Sequence, residues 1–263
     1  MFELDQWMDE TVLVGVQHDL AQCVVPVRED LIEAHAAVLS RIARPGAWWT
    51  GAQRVAMVAA TRSARDCPLC EQRREALSPH AVQGAHQLAP SHADVLPAEL
   101  VDIIHFATTD AVRMTQADID DLAAAGLSDA HYVEALGVAV AVRSMDQTCR
   151  GLGAPLHELP APVDGEPSRV QPEAEPAGQA FVPMLAVGQP PPPNDDLWDD
   201  NSNFYGLRAL SLVPDAVRDL RILSAAQYLP LDKAGDFAYR RALGREQVEL
   251  LAGRVSAINE CFY

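Results

Sequence analysis

The sequence predicts an all-helical protein, and three observations carry that prediction. Apolar residues recur at helical spacing through most of the chain. The breaks between these segments carry capping, proline and glycine signals. No convincing alternating strand pattern falls between them.

Residues 28–44 place Leu31, Ile32, His35, Val38, Leu39 and Ile42 on one face, and Pro45-Gly46 ends the segment. His35 is a titratable ring in an apolar stripe, read either as a satisfied core histidine or as a site residue. Trp48 and Trp49 follow as large apolar anchors for the helix junction. Thr50 with Gln53 forms a capping box, and Val55, Val58 and Ala59 supply the next buried face. Asp66 as N-cap and Pro68 in the first turn predict a new helix at Cys67 and Cys70, which Ser78-Pro79 stops. Residues 80–97 read as a loop carrying His80, His86 and His92.

Residues 97–108 form a further helix with Leu100, Ile103, Ile104 and Ala107 inward. Thr115 and Asp118 cap a short one that ends at Gly126. Ser128 opens the longest, to about Cys149, and its ALGVAVAV centre implies burial on most sides. Cys149 lies on the stripe of Val138, Val142 and Met145 and reads as a core thiol.

The composition then changes. Residues 156–203 gather prolines, with Pro190 to Pro193 in a row and Asp195, Asp196, Asp199 and Asp200 after them. This is a surface-leaning linker that Phe181, Val182, Met184 and Leu185 dock onto the helical body. Helices resume over 214–228 and 244–261. The last echoes the Thr50 element: with Cys261 aligned to Cys67, Val248 falls near Val55 and Leu251 near Val58. The expected organisation is a full helical unit over 1–155, a linker over 156–203, and a partial second copy over 204–263.

The net charge of −17 excludes nucleic acid as a natural partner. The longest apolar run is far short of the roughly 20 residues of a membrane span. The acidic N-terminus lacks the pattern of a signal peptide. A soluble, cytoplasmic protein is expected. There, five cysteines do not make a disulfide framework.

Cys67 and Cys70 are the one constellation with an obvious chemistry, and three readings stay open. A Cys-x-x-Cys pair at a helix start suits thiol redox chemistry. With His80 and His86 the pair would supply four ligands to a structural zinc ion. Or both are inert buried thiols. Carboxylate catalysis and a phosphate-binding loop find no support in the sequence.

The two helix-plus-cysteine segments, with residues 128–153, resemble the AhpD-like alkylhydroperoxidase and carboxymuconolactone decarboxylase superfamily, over roughly 28–153 and 209–263. The resemblance implies an AhpD-like helical bundle of repeated units, a homo-oligomer, and a cofactor-free thiol peroxidase. Hydroperoxide would be the substrate and a thiol or dithiol the reductant. Peroxidase members carry Glu, then Cys-x-x-Cys, then a His four residues on. By that resemblance Cys70 attacks the hydroperoxide and Cys67 resolves the sulfenic acid to a disulfide.

The carry-over is incomplete. Arg74 occupies the His position and Val55 lies near the Glu position of the first copy. In the second, Glu249 precedes Cys261 by twelve residues, where the family's Glu belongs. Three arrangements follow: a composite site in which Glu249 or His35 reaches the thiol pair, a degenerate first copy, or a chain that continues past Tyr263 with the rest of the motif. The alternative to a peroxidase is a non-catalytic or zinc-stabilised helical repeat protein.

Overall fold

A computed structural model describes residues 7–87, 94–178, 180–198, 205–233 and 235–259. Among these the regular structure is helical: ten α-helices and no sheet, with two isolated antiparallel bridges, one joining Glu175 to Met184. The helices are α1 (Glu10–Leu20), α2 (Glu29–Ile42), α3 (Gly51–Ser63), α4 (Pro68–Glu75), α5 (Ala98–Thr109), α6 (Gln116–Ala124), α7 (Asp129–Leu152), α8 (Tyr205–Arg208), α9 (Pro214–Gln227) and α10 (Arg245–Ile258). No helix among the described residues is long and apolar enough to cross a membrane.

The capping signals act where the sequence places them, with one shift. Thr50 and Gln53 form the expected box, each bonding back to the other's backbone N–H. At α4 the N-cap is Cys67 rather than Asp66. Pro68 takes the first helical position, which leaves the residue before it in extended backbone, and Ala64–Asp66 closes a single 3-10 turn instead. Helix α1 has no counterpart in the sequence reading. The Asp9 carboxylate caps it through the N–H groups of Thr11 and Val12, and it buries only Val16 and Leu20, a stripe too thin to stand out.

Helix α7 is the central element. α2, α3, α5, α6 and α9 all pack on it, which accounts for its apolar centre. α9 lies against both α2 and α7, so one apolar core runs from Val16 through α9 to Ala226. Gly137 sets the α7–α9 approach: a Cβ there would stand 2.6 Å from the Ala216 Cβ. Gly137→Ala is therefore expected to force the helices apart and lower stability by about 1–3 kcal/mol, read as a shifted urea midpoint.

The proline-rich segment is pinned to this core. Val182, Leu185, Leu197 and Trp198 enter it, whereas Phe181 stays at the surface. With no ladder of its own, the segment has carbonyls satisfied by side chains: Trp198 Nε1 donates to Gly188 O at 2.7 Å, and the Arg208 guanidinium donates to Leu185 O at 3.0 and 3.1 Å. Helix α10 differs from the other long helices. It buries no side chain, and Leu250, Leu251, Val255 and Ile258 are exposed.

Candidate functional site

Helix α4 begins at the thiol pair because Pro68 fits its first turn, and this places Cys67 at the N-cap and Cys70 one turn inside. The loop after α4 returns His86 to the pair, and α5 contributes His105 from its buried face. One ligand-type atom from each of Cys67, Cys70, His86 and His105 lies within 4.8 Å of the others. His86 Nδ1 is 3.4 Å from Cys67 Sγ and 3.8 Å from Cys70 Sγ, and His105 Nδ1 is 3.4 Å from Cys70 Sγ.

The outer nitrogens fix how both rings face the sulfurs. Asp102 Oδ1 sits 2.8 Å from His86 Nε2 and also takes Arg73 Nη1 at 2.7 Å. A carboxylate can only accept, so the proton of a neutral His86 is on Nε2 and its Nδ1 lone pair points at the thiols. Ser63 Oγ spends its own proton on Ala60 O and lies 3.2 Å from His105 Nε2. It therefore accepts from His105, whose Nδ1 lone pair is left facing Cys70. Both sulfurs thus converge on the one Nδ1 position of His86, at 3.4 and 3.8 Å.

Electrostatics follow from the same contacts. Burial alone would lower the His86 pKa, but hydrogen bonds to Asp102, Cys70 and Cys67 outweigh it and lift it to about 10. Burial would raise Cys67, yet His86 and the backbone N–H groups of Cys70 and Leu69 bring it below the ordinary thiol value. Burial, then the neighbouring His86 charge, pushes His105 down to about 3. Burial opposes ionisation of Asp102, but His86 and Arg73 hold it below the usual carboxylate range.

The sequence-derived site residues divide among three places. Cys67 and Cys70 form this cluster with His86, while His80 instead faces Asp118 (3.5 Å) and Phe106. His105 takes the place that the zinc reading gave His80. Its signal in the sequence is an imidazole one turn after Asp102, beside the Ile103 and Ile104 face of α5. Glu249 lies on α10, where Tyr228 Oη and Arg245 Nη2 hold it at 2.5 and 2.9 Å. Cys261 and His92 lie outside the described residues.

His35 belongs to a second cluster, with Cys149 and His157, all buried and with ligand atoms within 4.8 Å. Burial and then His157 lower the His35 pKa to about 3, and burial then Asp146 raise Cys149 to about 11. The composite-site arrangement is not seen among the described residues: neither His35 nor Glu249 is among the groups gathered at the thiol pair.

Fold and site together define an all-helical protein in which two cysteines and two histidines, three of them buried, gather ligand-type atoms at one point. No family model, curated protein or solved structure matches the chain.

Proposed function

We propose that the chain is a zinc-binding helical protein in which Cys67, Cys70, His86 and His105 hold one ion. One observation carries this reading: the S–N separations of 3.4, 3.8 and 3.4 Å. A tetrahedral site with Zn–S of about 2.3 Å and Zn–N of about 2.0–2.1 Å has S–N edges of about 3.6 Å. Two thiolates and two imidazoles in that geometry select zinc over the hard cations. Asp102 and Ser63 take the outer N–H groups, as carboxylate and hydroxyl partners do around metal-bound histidines.

Four protein ligands close the coordination sphere, which is the arrangement of a structural rather than a catalytic ion. The ion would replace the protons shared between the two sulfurs and His86 Nδ1, and tie α4 and its following loop to α5. Purified protein should carry zinc in an amount that falls by one equivalent in Cys67→Ser/Cys70→Ser. Unchanged metal content in that variant would sink the reading.

A second reading rests on the Asp102–His86 pair facing two thiols. In metal-free protein, Cys70 thiolate would attack a hydroperoxide oxygen, giving sulfenic acid and, with a proton from His86, the alcohol. The Cys67 thiol would then condense with the sulfenic acid, releasing water and leaving a disulfide that an external dithiol reduces. Among the described residues no sulfur lines the cleft of about 480 Å³ that opens on His86 and Asp102, and this favours the metal reading. Metal-free protein treated with an alkyl hydroperoxide separates the two. One alcohol formed per Cys67–Cys70 disulfide supports the redox reading; free thiols that remain unpaired under peroxide exclude it.

A further inference from the structure

The chain carries a second set of metal-ligand side chains, assembled from parts of the fold that the thiol pair does not use. α2 brings His35 and α7 brings Cys149. Gly153, at φ 71°, ends α7 in the left-handed region and turns the chain back, so that His157 returns beside Cys149. Arg62 fixes this return: Nη1 donates to His157 O at 2.8 Å, while Nε and Nη2 grip Asp146 at 3.0 and 2.8 Å. All three side chains are essentially removed from water.

The contacts inside the set are polar and crowded. His35 Nδ1 lies 2.9 Å and Cys149 Sγ 3.5 Å from the same atom, His157 Nε2. Asp19 Oδ2 accepts from His157 Nδ1 at 2.9 Å, so in neutral His157 the Nε2 carries the lone pair. Two donors from separate helices therefore converge on one lone pair. On the other side, Gln227 of α9 lies 2.9 Å from His35 Nε2. Each histidine thus has its outer nitrogen held by a partner from another helix and its inner nitrogen turned to the common centre.

We infer that His35, Cys149 and His157 form a second transition-metal site, of the one-thiolate, two-imidazole class that takes zinc, cobalt(II) or copper. Asp19 and Gln227 are its positioning residues. Metal entry exchanges the His35–His157 hydrogen bond for two metal–nitrogen bonds and widens that N–N separation from 2.9 Å to about 3.3 Å at tetrahedral angles. The protons balance as one released and one moved. Cys149 loses its thiol proton to solvent, and the His35 proton moves from Nδ1 to Nε2. There it is accepted by the Gln227 amide oxygen once that amide, also bonded to Ser144, turns over. Three protein ligands leave a fourth position for a water molecule, unlike the closed set around Cys67.

The test is cobalt(II) titration of metal-free full-length protein, with bound metal counted and thiolate-to-cobalt absorption recorded. The inference expects an equivalent of cobalt that Cys149→Ala and His157→Gln each remove and Cys67→Ser/Cys70→Ser leaves in place. The signal in that last variant should be that of one thiolate, with a charge-transfer band about half as intense as a two-thiolate site gives. If the double serine variant does not fold, as judged by circular dichroism, the count is read from wild type against Cys149→Ala alone. Equal counts in those two proteins overturn the inference. Loss of metal only in the double serine variant overturns it while leaving the Cys67 site intact, and loss only in Cys149→Ala does the reverse.

Discussion

Cys70→Ser is expected to strip the zinc from the α4–α5 site and to lower stability under zinc-replete conditions by about 4 kcal/mol. That figure follows from linkage, since an ion free at a thousandfold its Kd stabilises the state it binds by about that amount. Cys70 is the position taken for the test because its sulfur lies within hydrogen-bond reach of both histidines, His86 and His105, whereas of the two only His86 is that close to Cys67. A serine hydroxyl keeps the size but is a poor zinc ligand at neutral pH, so one of the four ligands is lost and the sphere is no longer closed. Thermal or urea unfolding with and without a chelator reads the effect. Wild type should respond to the chelator more than Cys70→Ser does, by about that amount, while Cys23→Ser should behave as wild type. Acid should release the ion as well, because the thiolates and imidazoles that bind it are the groups that take up protons. A chelator-insensitive wild type that holds no zinc would end the metal reading.

The parts of this centre were unequally visible in the sequence. The helix start at Pro68 and the thiol spacing are local features, and local features survive without coordinates. His86 was readable as a ligand on donor type, whereas His105 was not, because a histidine inside an apolar face is ordinarily core. Only the α4–α5 juxtaposition makes it a neighbour of Cys70. The second cluster was less legible still. His35 stands out as a titratable ring in an apolar stripe and Cys149 reads as core, but His157 sits in a proline-flanked stretch with no periodicity, and the Gly153 turn that brings it home is a tertiary fact. The helices of more than one turn follow from periodicity and caps, with two physical exceptions. α1 is too lightly buried to show a stripe, and the apolar stripe of α10, which pattern alone places inside, is exposed. Amphipathic spacing shows that a face exists and is silent on what covers it.

Asp219→Ala is expected to cost about 3 kcal/mol, the largest effect of a single change outside the cysteine and histidine clusters. Arg41 of α2 and Asp219 of α9 are both buried, with Nε and Oδ1 2.5 Å apart, so the pair crosses the α2–α9 contact inside the core. Removing the carboxylate leaves a guanidinium that cannot shed its charge, and breaking a buried pair in this way costs about 3–5 kcal/mol. The low end applies because Arg41 Nη2 keeps Asp215 at 3.2 Å. That remaining partner gives the variant a distinctive acid sensitivity. Burial opposes ionisation of Asp215, but the Arg41 and Arg218 charges hold its pKa below the ordinary value. A carboxylate depressed in this way stabilises the fold above its unfolded pKa of about 3.9, and the contribution is lost as pH falls through the lower folded value. Burial outweighs the pull of Arg41 and holds the Asp219 carboxyl above its ordinary value, so in wild type its proton uptake offsets part of that loss as pH falls; Asp219→Ala lacks the offset and leaves Arg41 with no carboxylate once Asp215 is protonated. Urea midpoints measured from pH 7 down to pH 3 should therefore drop more steeply for the variant. Arg41→Met/Asp219→Leu, which removes both charges and fills the space, should recover most of the loss at neutral pH. A double variant as unstable as Asp219→Ala would mean that the α2–α9 contact depends on the charges themselves and not on the absence of an unpaired one.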